Sequence, residues 1–329
     1  MTSPAAAGVL GAQSAPAGFF SKIERWLQAM PHPALAVEIG AGSVAAARWG
    51  VSRGSLDAYA VEELPAGSVM PSPVETNIVQ PDAVRGALRR VLNKISHRSA
   101  TLALLIPDPS VRVFVLPFED LPHRADDALP LLRWRLKKSV PFDVDETKVS
   151  WMRQSGRHGG LEVVAAIARQ TILREYEQVL ESLDARPGVV LSSTLAVLPL
   201  LEPSGATLLA RRCGATLTTA IVYGQSLCVY RATELSAGAH PFEPQSVLDE
   251  VFPAAAYFQD VWGRDIDRAC LAGFGETSDL VRDALSREFR IGVQPISASS
   301  RAQRLDAQGR TLLRQGLDGL AGWAMNGAS

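Results

Sequence analysis

Few residues in this chain stand in a pattern that could carry out chemistry. His32, His97, His123, His158 and His240 are scattered beside Pro, Gly or basic residues, and none has a Cys or Ser at the spacing that a nucleophile and its base require. Cys213, Cys228 and Cys270 are odd in number and lack CxxC or Cys/His spacing, which argues against a disulfide framework or a zinc site and suits a reducing compartment. No catalytic residue and no metal ligand is assigned. What remains is a set of glycine-bearing turns: Glu38-Ile39-Gly40-Ala41-Gly42-Ser43, Arg212-Cys213-Gly214-Ala215-Thr216 and Gly273-Phe274-Gly275. Such glycines let backbone N–H groups approach an anion, and they equally meet the needs of an ordinary hairpin. The basic run Arg133, Arg135, Lys137 and Lys138 reads as the solvated face of a helix, or as a surface for a negative partner tail or a membrane.

The elements that must position these turns are legible as apolar runs. Residues 34–39, 43–49 and 56–64 are short, apolar and separated by Gly-containing turns, the pattern of an antiparallel meander. A helix is expected from Pro81 to about Ser96, with Val84, Leu88, Val91, Leu92 and Ile95 on one face. Strands at 101–106 and 111–116 surround Pro107-Asp108-Pro109. A helix over 124–138, strands at 148–154 and 162–168 and a helix over 171–183 follow. After a helix at 192–200, the opening theme returns as strands at 207–212, 217–223 and 227–232, which suggests an internal duplication. The second half then alternates: a helix over 243–262, a strand at 268–272, a helix over 277–289, a strand at 292–295 and one last helix over 304–325. Two such halves predict two lobes with a cleft between them.

The chain has 329 residues, 33 basic and 34 acidic side chains and a formal net charge of -1, so no global charge points to nucleic acid. With 47% hydrophobic and 20% charged residues it can bury sizeable cores. Residues 1–17 are rich in small residues and Pro without the pattern of a secretory signal, and a loose tail is expected there. Phe19, Phe20, Ile23, Trp26, Leu27 and Met30 recur at helical spacing, so 18–32 reads as an amphipathic leader helix, docked on its own domain or on a membrane or partner. No apolar stretch is long enough to span a bilayer.

The order of the glycine turns, with Leu271-Ala272-Gly273-Phe274-Gly275 late in the chain, resembles the layout of actin-like ATPases. Leu116-Pro117, then Arg133-Trp134-Arg135, then Val140-Pro141-Phe142-Asp143-Val144-Asp145-Glu146 is similar to the PilM family of type IV pilus assembly proteins. Val163-Val164-Ala165-Ala166 before a helix also fits, and the resemblance covers residues 18–327. It implies an α/β, actin-like (ribonuclease H-like) two-lobed fold with a small inserted α+β subdomain. The expected first lobe is 33–100 with 185–203, the insert 101–184 and the second lobe 204–329. The division protein FtsA and the secretion protein GspL share this general fold, and Pro141-Phe142 favours PilM.

What the resemblance implies about function is a cytoplasmic scaffold, peripheral at the inner membrane, that docks the cytoplasmic tail of a PilN-like membrane protein. Other pilus assembly proteins and further copies of itself are expected partners. The docking groove would lie near Leu116, Trp134, Val140 and Phe142, residues that could instead form the subdomain's own core. A nucleotide, if held, would meet Glu38, Gly40, Gly42, Ser43, Gly214, Thr216, Gly273 and Gly275. The family pattern is broken there: Glu38 replaces Asp, Arg212 stands where the second hairpin repeats it, Ser192-Ser193-Thr194 replaces acidic residues and Phe274 replaces Gly. The expected cofactor is none, or ATP with magnesium held weakly, and no hydrolysis is expected. An active ATPase or sugar kinase of the same superfold, or a GspL-like secretion component, is the alternative.

Overall fold

Apolar runs bounded by turns make the strands, and the order in which they pair repeats. The structure, a computed structural model, describes residues 32–50, 54–95, 101–235 and 243–326. The expected tail over 1–17 and the leader helix over 18–32, His32 excepted, lie outside the described residues. In the first lobe, β1 (Leu35–Ile39), β2 (Ser43–Trp49) and β3 (Leu56–Glu63) form an antiparallel meander. β4 (Thr101–Ile106) and β8 (Arg186–Ser192) extend it in parallel, giving the order β3-β2-β1-β4-β8. The second lobe repeats this with β9 (Ala206–Cys213), β10 (Thr216–Tyr223), β11 (Ser226–Glu234), β12 (Arg268–Ala272) and β13 (Gly292–Pro295), in the order β11-β10-β9-β12-β13. The expected duplication is therefore a duplication of topology.

Each sheet is buried on both faces, which is why β1 and β4 are almost uniformly apolar. The outer face of the first sheet carries α1 (Pro81–Lys94) and α3 (Gln170–Glu181), whose Val84, Leu88, Val91, Ile172 and Tyr176 share one core with Val37, Ile39 and Leu104. The outer face of the second sheet carries α5 (Pro244–Trp262) and α6 (Ser278–Phe289) around Val251, Phe258 and Leu285. The inner faces meet at α4 (Ser193–Val197), α7 (Ala307–Arg314) and α8 (Asp318–Asn326), in one core that draws on both lobes. A Cβ at Gly322 of α8 would lie 2.1 Å from the Ala196 carbonyl, so only Gly lets α8 and α4 approach so closely. Trp323, on the same helix, is fully buried, stacks on His32 at 4.2 Å and donates to the Pro33 carbonyl at 3.1 Å. Burial pushes the His32 imidazole down to about 4.

Three expectations need correction. The insert is narrower than 101–184, because β4 pairs between β1 and β8, and α3 packs on α1. What is inserted is the sheet β5-β7-β6 (Arg112–Phe118, Leu161–Arg169 and Thr147–Ser155) with α2 (Ala125–Leu136) on one face. β8 was not expected as a strand: Pro187 and Gly188 disguise it, and the sheet tolerates them because β8 is an edge strand with a register shift at Leu102/Ala103. The last helix is two, α7 and α8, broken where Gly316 takes a left-handed φ of 73°. The insert leans on the second lobe, where the Gln154 amide acts like a strand residue: its Nε2 donates to the Leu227 carbonyl at 2.7 Å and its Oε1 accepts from the Leu227 N–H at 3.0 Å.

Candidate functional site at the interlobe centre

The duplicated hairpins bring two residues face to face. In the first, Gly40 N–H donates to the Ser43 carbonyl at 2.8 Å, so Ala41-Gly42 is the turn. In the second, Cys213 pairs with Thr216, so Gly214-Ala215 is the turn. Counting three residues back from each turn gives Glu38 and Arg211, each on the strand that enters its hairpin. The counterpart of Glu38 is thus Arg211 and not Arg212, the residue expected from its offset to the glycine. Glu38 Oε1 lies 3.3 Å from Arg211 Nη2.

Arg211 is 2% exposed and is surrounded by carboxylates and hydroxyls. Its Nη1 donates to Ser193 Oγ at 2.5 Å and Thr194 Oγ1 at 3.1 Å, and lies 3.8 Å from Asp108 Oδ2. Its Nε is 3.9 Å from Asp318 Oδ2, at the first residue of α8. Asp108, in the turn after β4, accepts from the Thr194 N–H at 2.9 Å, the Thr218 hydroxyl at 2.7 Å and the Tyr230 hydroxyl at 3.1 Å, and also from the hydroxyls of Ser192 and Thr194. Both oxygens of this buried carboxylate are thus met by several donors. Glu38, Asp108 and α4 come from the first lobe, Arg211, Thr218 and Tyr230 from the second, and Asp318 from the closing helix, so the cluster ties all three together.

The electrostatics follow from one cation among three acids. Burial works against the Arg211 charge, yet the negative charges around it, the Cys213 sulfur once ionised and the carboxylates of Glu38, Asp108 and Asp318, outweigh it and raise its pKa. Burial pushes Asp318 up to about 6 against the pull of Arg211, and pushes the Cys213 thiol up to about 11. Tyr230 is raised by burial and by the Asp108 charge. Glu38 Oε2, Asp318 Oδ2 and Arg211 Nε are buried without a hydrogen-bond partner among the described residues. The unmatched atoms thus lie on the Glu38–Asp318 side, while the Asp108 side is saturated.

Of the residues expected to meet a nucleotide, Glu38 is committed to Arg211. Gly40 and Ser43 close the first turn on each other, and around Gly42 there is open space. Gly214 has φ 62°, and a Cβ built on it would lie 3.8 Å from the Ala41 Cβ, so the two hairpin tips meet. Gly273 is needed because a Cβ there would lie 2.1 Å from the Arg212 carbonyl: the close approach is made by the chain's own backbone. Gly275 has open space around it, and Phe274 is buried in the second-lobe core. Thr216 lines a cavity of about 680 Å³ above the cluster, together with Ala41, Cys213, Glu75, Asp108 and Glu234. Among the described residues the lining includes these three acidic residues and no Lys, Arg or His. Of the expected groove residues, Leu116, Val140 and Phe142 pack half-buried on the small core of Leu136, Val144, Ala165 and Ile167, while Trp134 stands apart at 73% exposure.

Arg211, Asp108, Asp318, Thr218 and Tyr230 were not expected at the site. One signal existed for Arg211, a charged residue three positions before the turn of the second hairpin, as Glu38 is before the turn of the first. Among the described residues no group of acids, Cys and His could hold a metal ion, and no helix is long and apolar enough to cross a membrane.

Comparison of the fold with solved structures finds a PilM–PilN type IV pilus biogenesis complex, with TM-score 0.71 and 18% identity over 91% of this chain and 100% of that one. It also finds a protein from Bacteroides thetaiotaomicron with an actin-like ATPase fold and unknown function, with TM-score 0.50 and 10% identity over 82% of this chain and 93% of that one. No protein-family model matches the sequence, and no curated protein does. The chain has the two-lobed actin-like fold.

Proposed function

We propose that this chain is a scaffold of type IV pilus assembly that works at the cytoplasmic face of the inner membrane, docks the cytoplasmic tail of a PilN-like protein, and no longer uses its nucleotide site. The observation that carries this reading is the likeness to a PilM–PilN complex over nearly the whole of both chains. The cleft supports its second half. A magnesium triphosphate needs carboxylates free to hold the ion through oxygen ligands and positive or N–H groups aimed at phosphate. Here Arg211 is the cation among the acids, the hairpin tips touch, and the charged residues on the cavity above, among the described residues, are the acids Glu75, Asp108 and Glu234. Those residues do not suit the ligand. The scaffold role then rests on surfaces, as fold alone fixes no function.

We place the tail groove beside Leu116, Val140 and Phe142, whose half-buried rings and chains leave an apolar margin along the insert. A pull-down with a synthetic peptide of a PilN-like amino-terminal tail tests it. The wild type should retain the peptide and Phe142→Asp, checked for an unchanged melting profile, should lose it, whereas Trp134→Ala should bind as the wild type does. Retention of the peptide by Phe142→Asp would remove the groove from this place.

A further inference from the structure

The most exposed of the large apolar side chains among the described residues is Trp134, on the outer face of α2. Ala128, Leu132 and Leu136 turn inward from this helix, and Leu131 and Trp134 face outward one turn apart, 43% and 73% exposed. Beside them stand Arg135, Lys137 and Lys138, all exposed, and none is paired with a carboxylate among the described residues. Arg133, one position away, does have such a partner, with Nη1 at 3.9 Å from Asp145. The contrast with the second lobe is informative. Leu280 is also well exposed, yet Arg282 beside it is held by Asp279 at 2.6 Å and Asp283 at 3.0 Å.

We infer that the C-terminal end of α2 is a docking surface for an anionic membrane. An indole ring is apolar with a polar N–H and rests well at the boundary between acyl chains and headgroups, and neighbouring Lys and Arg draw anionic headgroups to it. The patch is an exposed helix face, and Leu131 and Trp134 line neither the cavity above the interlobe cluster nor the smaller one beside Glu175. A peptide needs a groove to order it, while a lipid surface conforms to a protruding side chain. The three cations also sit where the negative end of the helix dipole favours them, which accounts for their tolerance in the fold and not for the bare Trp134 among them. This inference gives the membrane-facing side of the scaffold proposed above, and it requires no tail.

Sedimentation of the full chain with lipid vesicles, in the absence of any partner, tests it. Phosphatidylglycerol vesicles should carry the protein down and pure phosphatidylcholine vesicles should not, and raising the salt to about 0.5 M should release it. Trp134→Ala and the triple change R135E/K137E/K138E should each weaken vesicle binding by about tenfold or more while melting as the wild type does. Three outcomes would overturn the inference: no binding to the anionic vesicles, equal binding to neutral ones, or unchanged binding in both variants. A soluble acidic peptide retained by the patch in place of vesicles would likewise overturn it. Loss of vesicle binding with retention of the tail peptide separates this surface from the groove.

Discussion

The centre of the cleft and the outer face of α2 both carry arginine, in opposite circumstances. Arg211 is sealed between the lobes with carboxylates of Glu38, Asp108 and Asp318 within 4.0 Å, whereas Arg135, Lys137 and Lys138 are exposed and have no carboxylate partner among the described residues. A buried charge has to be matched inside the chain or it does not stay there. Three acids converging on one cation therefore describe a site turned inward. An exposed cation costs almost nothing to keep unmatched, so a run of them around a bare indole describes a site turned outward. On this comparison the proposed scaffold keeps its duplicated cleft as part of the structure and presents its recognition surfaces on the insert.

The comparison can be broken most forcefully at Arg211. Arg211→Met would leave three acids facing one another without their cation, and should destabilise the protein by about 3–5 kcal/mol, seen as a fall in the chemical-denaturation midpoint. If the variant were as stable as the wild type, the cluster would not hold the lobes together. A smaller effect is expected at Asp318. Its carboxyl titrates near 6 in the fold against 3.8 ordinarily, so the folded state takes up the proton first. The Asp318 contribution to stability should be greatest below about pH 4, fall as the pH rises to about 6, and stay at its lower level above that. His32, lowered to about 4, works in the opposite sense over the same range, so the contribution is read from the difference between wild type and variant. Asp318→Asn should remove this part of the slope, up to about 3 kcal/mol between the two ends. A wild type and variant with parallel stability–pH curves would show that Asp318 is not held in this way. The smallest effect belongs to the outer face: Trp134→Ala should change stability by less than about 0.5 kcal/mol, and a larger loss in thermal melting would mean that Trp134 is a packing residue after all.

How far the sequence reveals this depends on which residues one follows. β12 and β13 are legible to the residue, and the meanders nearly so, because alternating apolar runs between glycine turns leave few other options. β8 is not, since Pro187 and Gly188 mark a loop in any reading that cannot see the edge position they occupy. The split between α7 and α8 hides behind continuous apolar spacing, and Gly316 is the only mark of it. At the site, Glu38 could be singled out from its turn, but Arg211 requires the turn pairing, which differs by one residue from the glycine offset. Asp108 lies between two prolines and looks like turn chemistry until Thr218 and Tyr230, from the other lobe, are seen to donate to it. Contacts between residues more than a hundred positions apart leave no local trace in a sequence.

The proposal tested most directly is that Arg211, at the position matching Glu38 in the second hairpin, keeps magnesium-bound nucleotide out of the cleft. The direct measurement is a thermal-shift titration of the purified full chain with magnesium ATP. No shift is predicted at any concentration up to the millimolar range. Stabilisation by about 2.7 kcal/mol at one hundred times an apparent dissociation constant would mean that the cleft accepts the nucleotide with Arg211 in place, and would contradict the account.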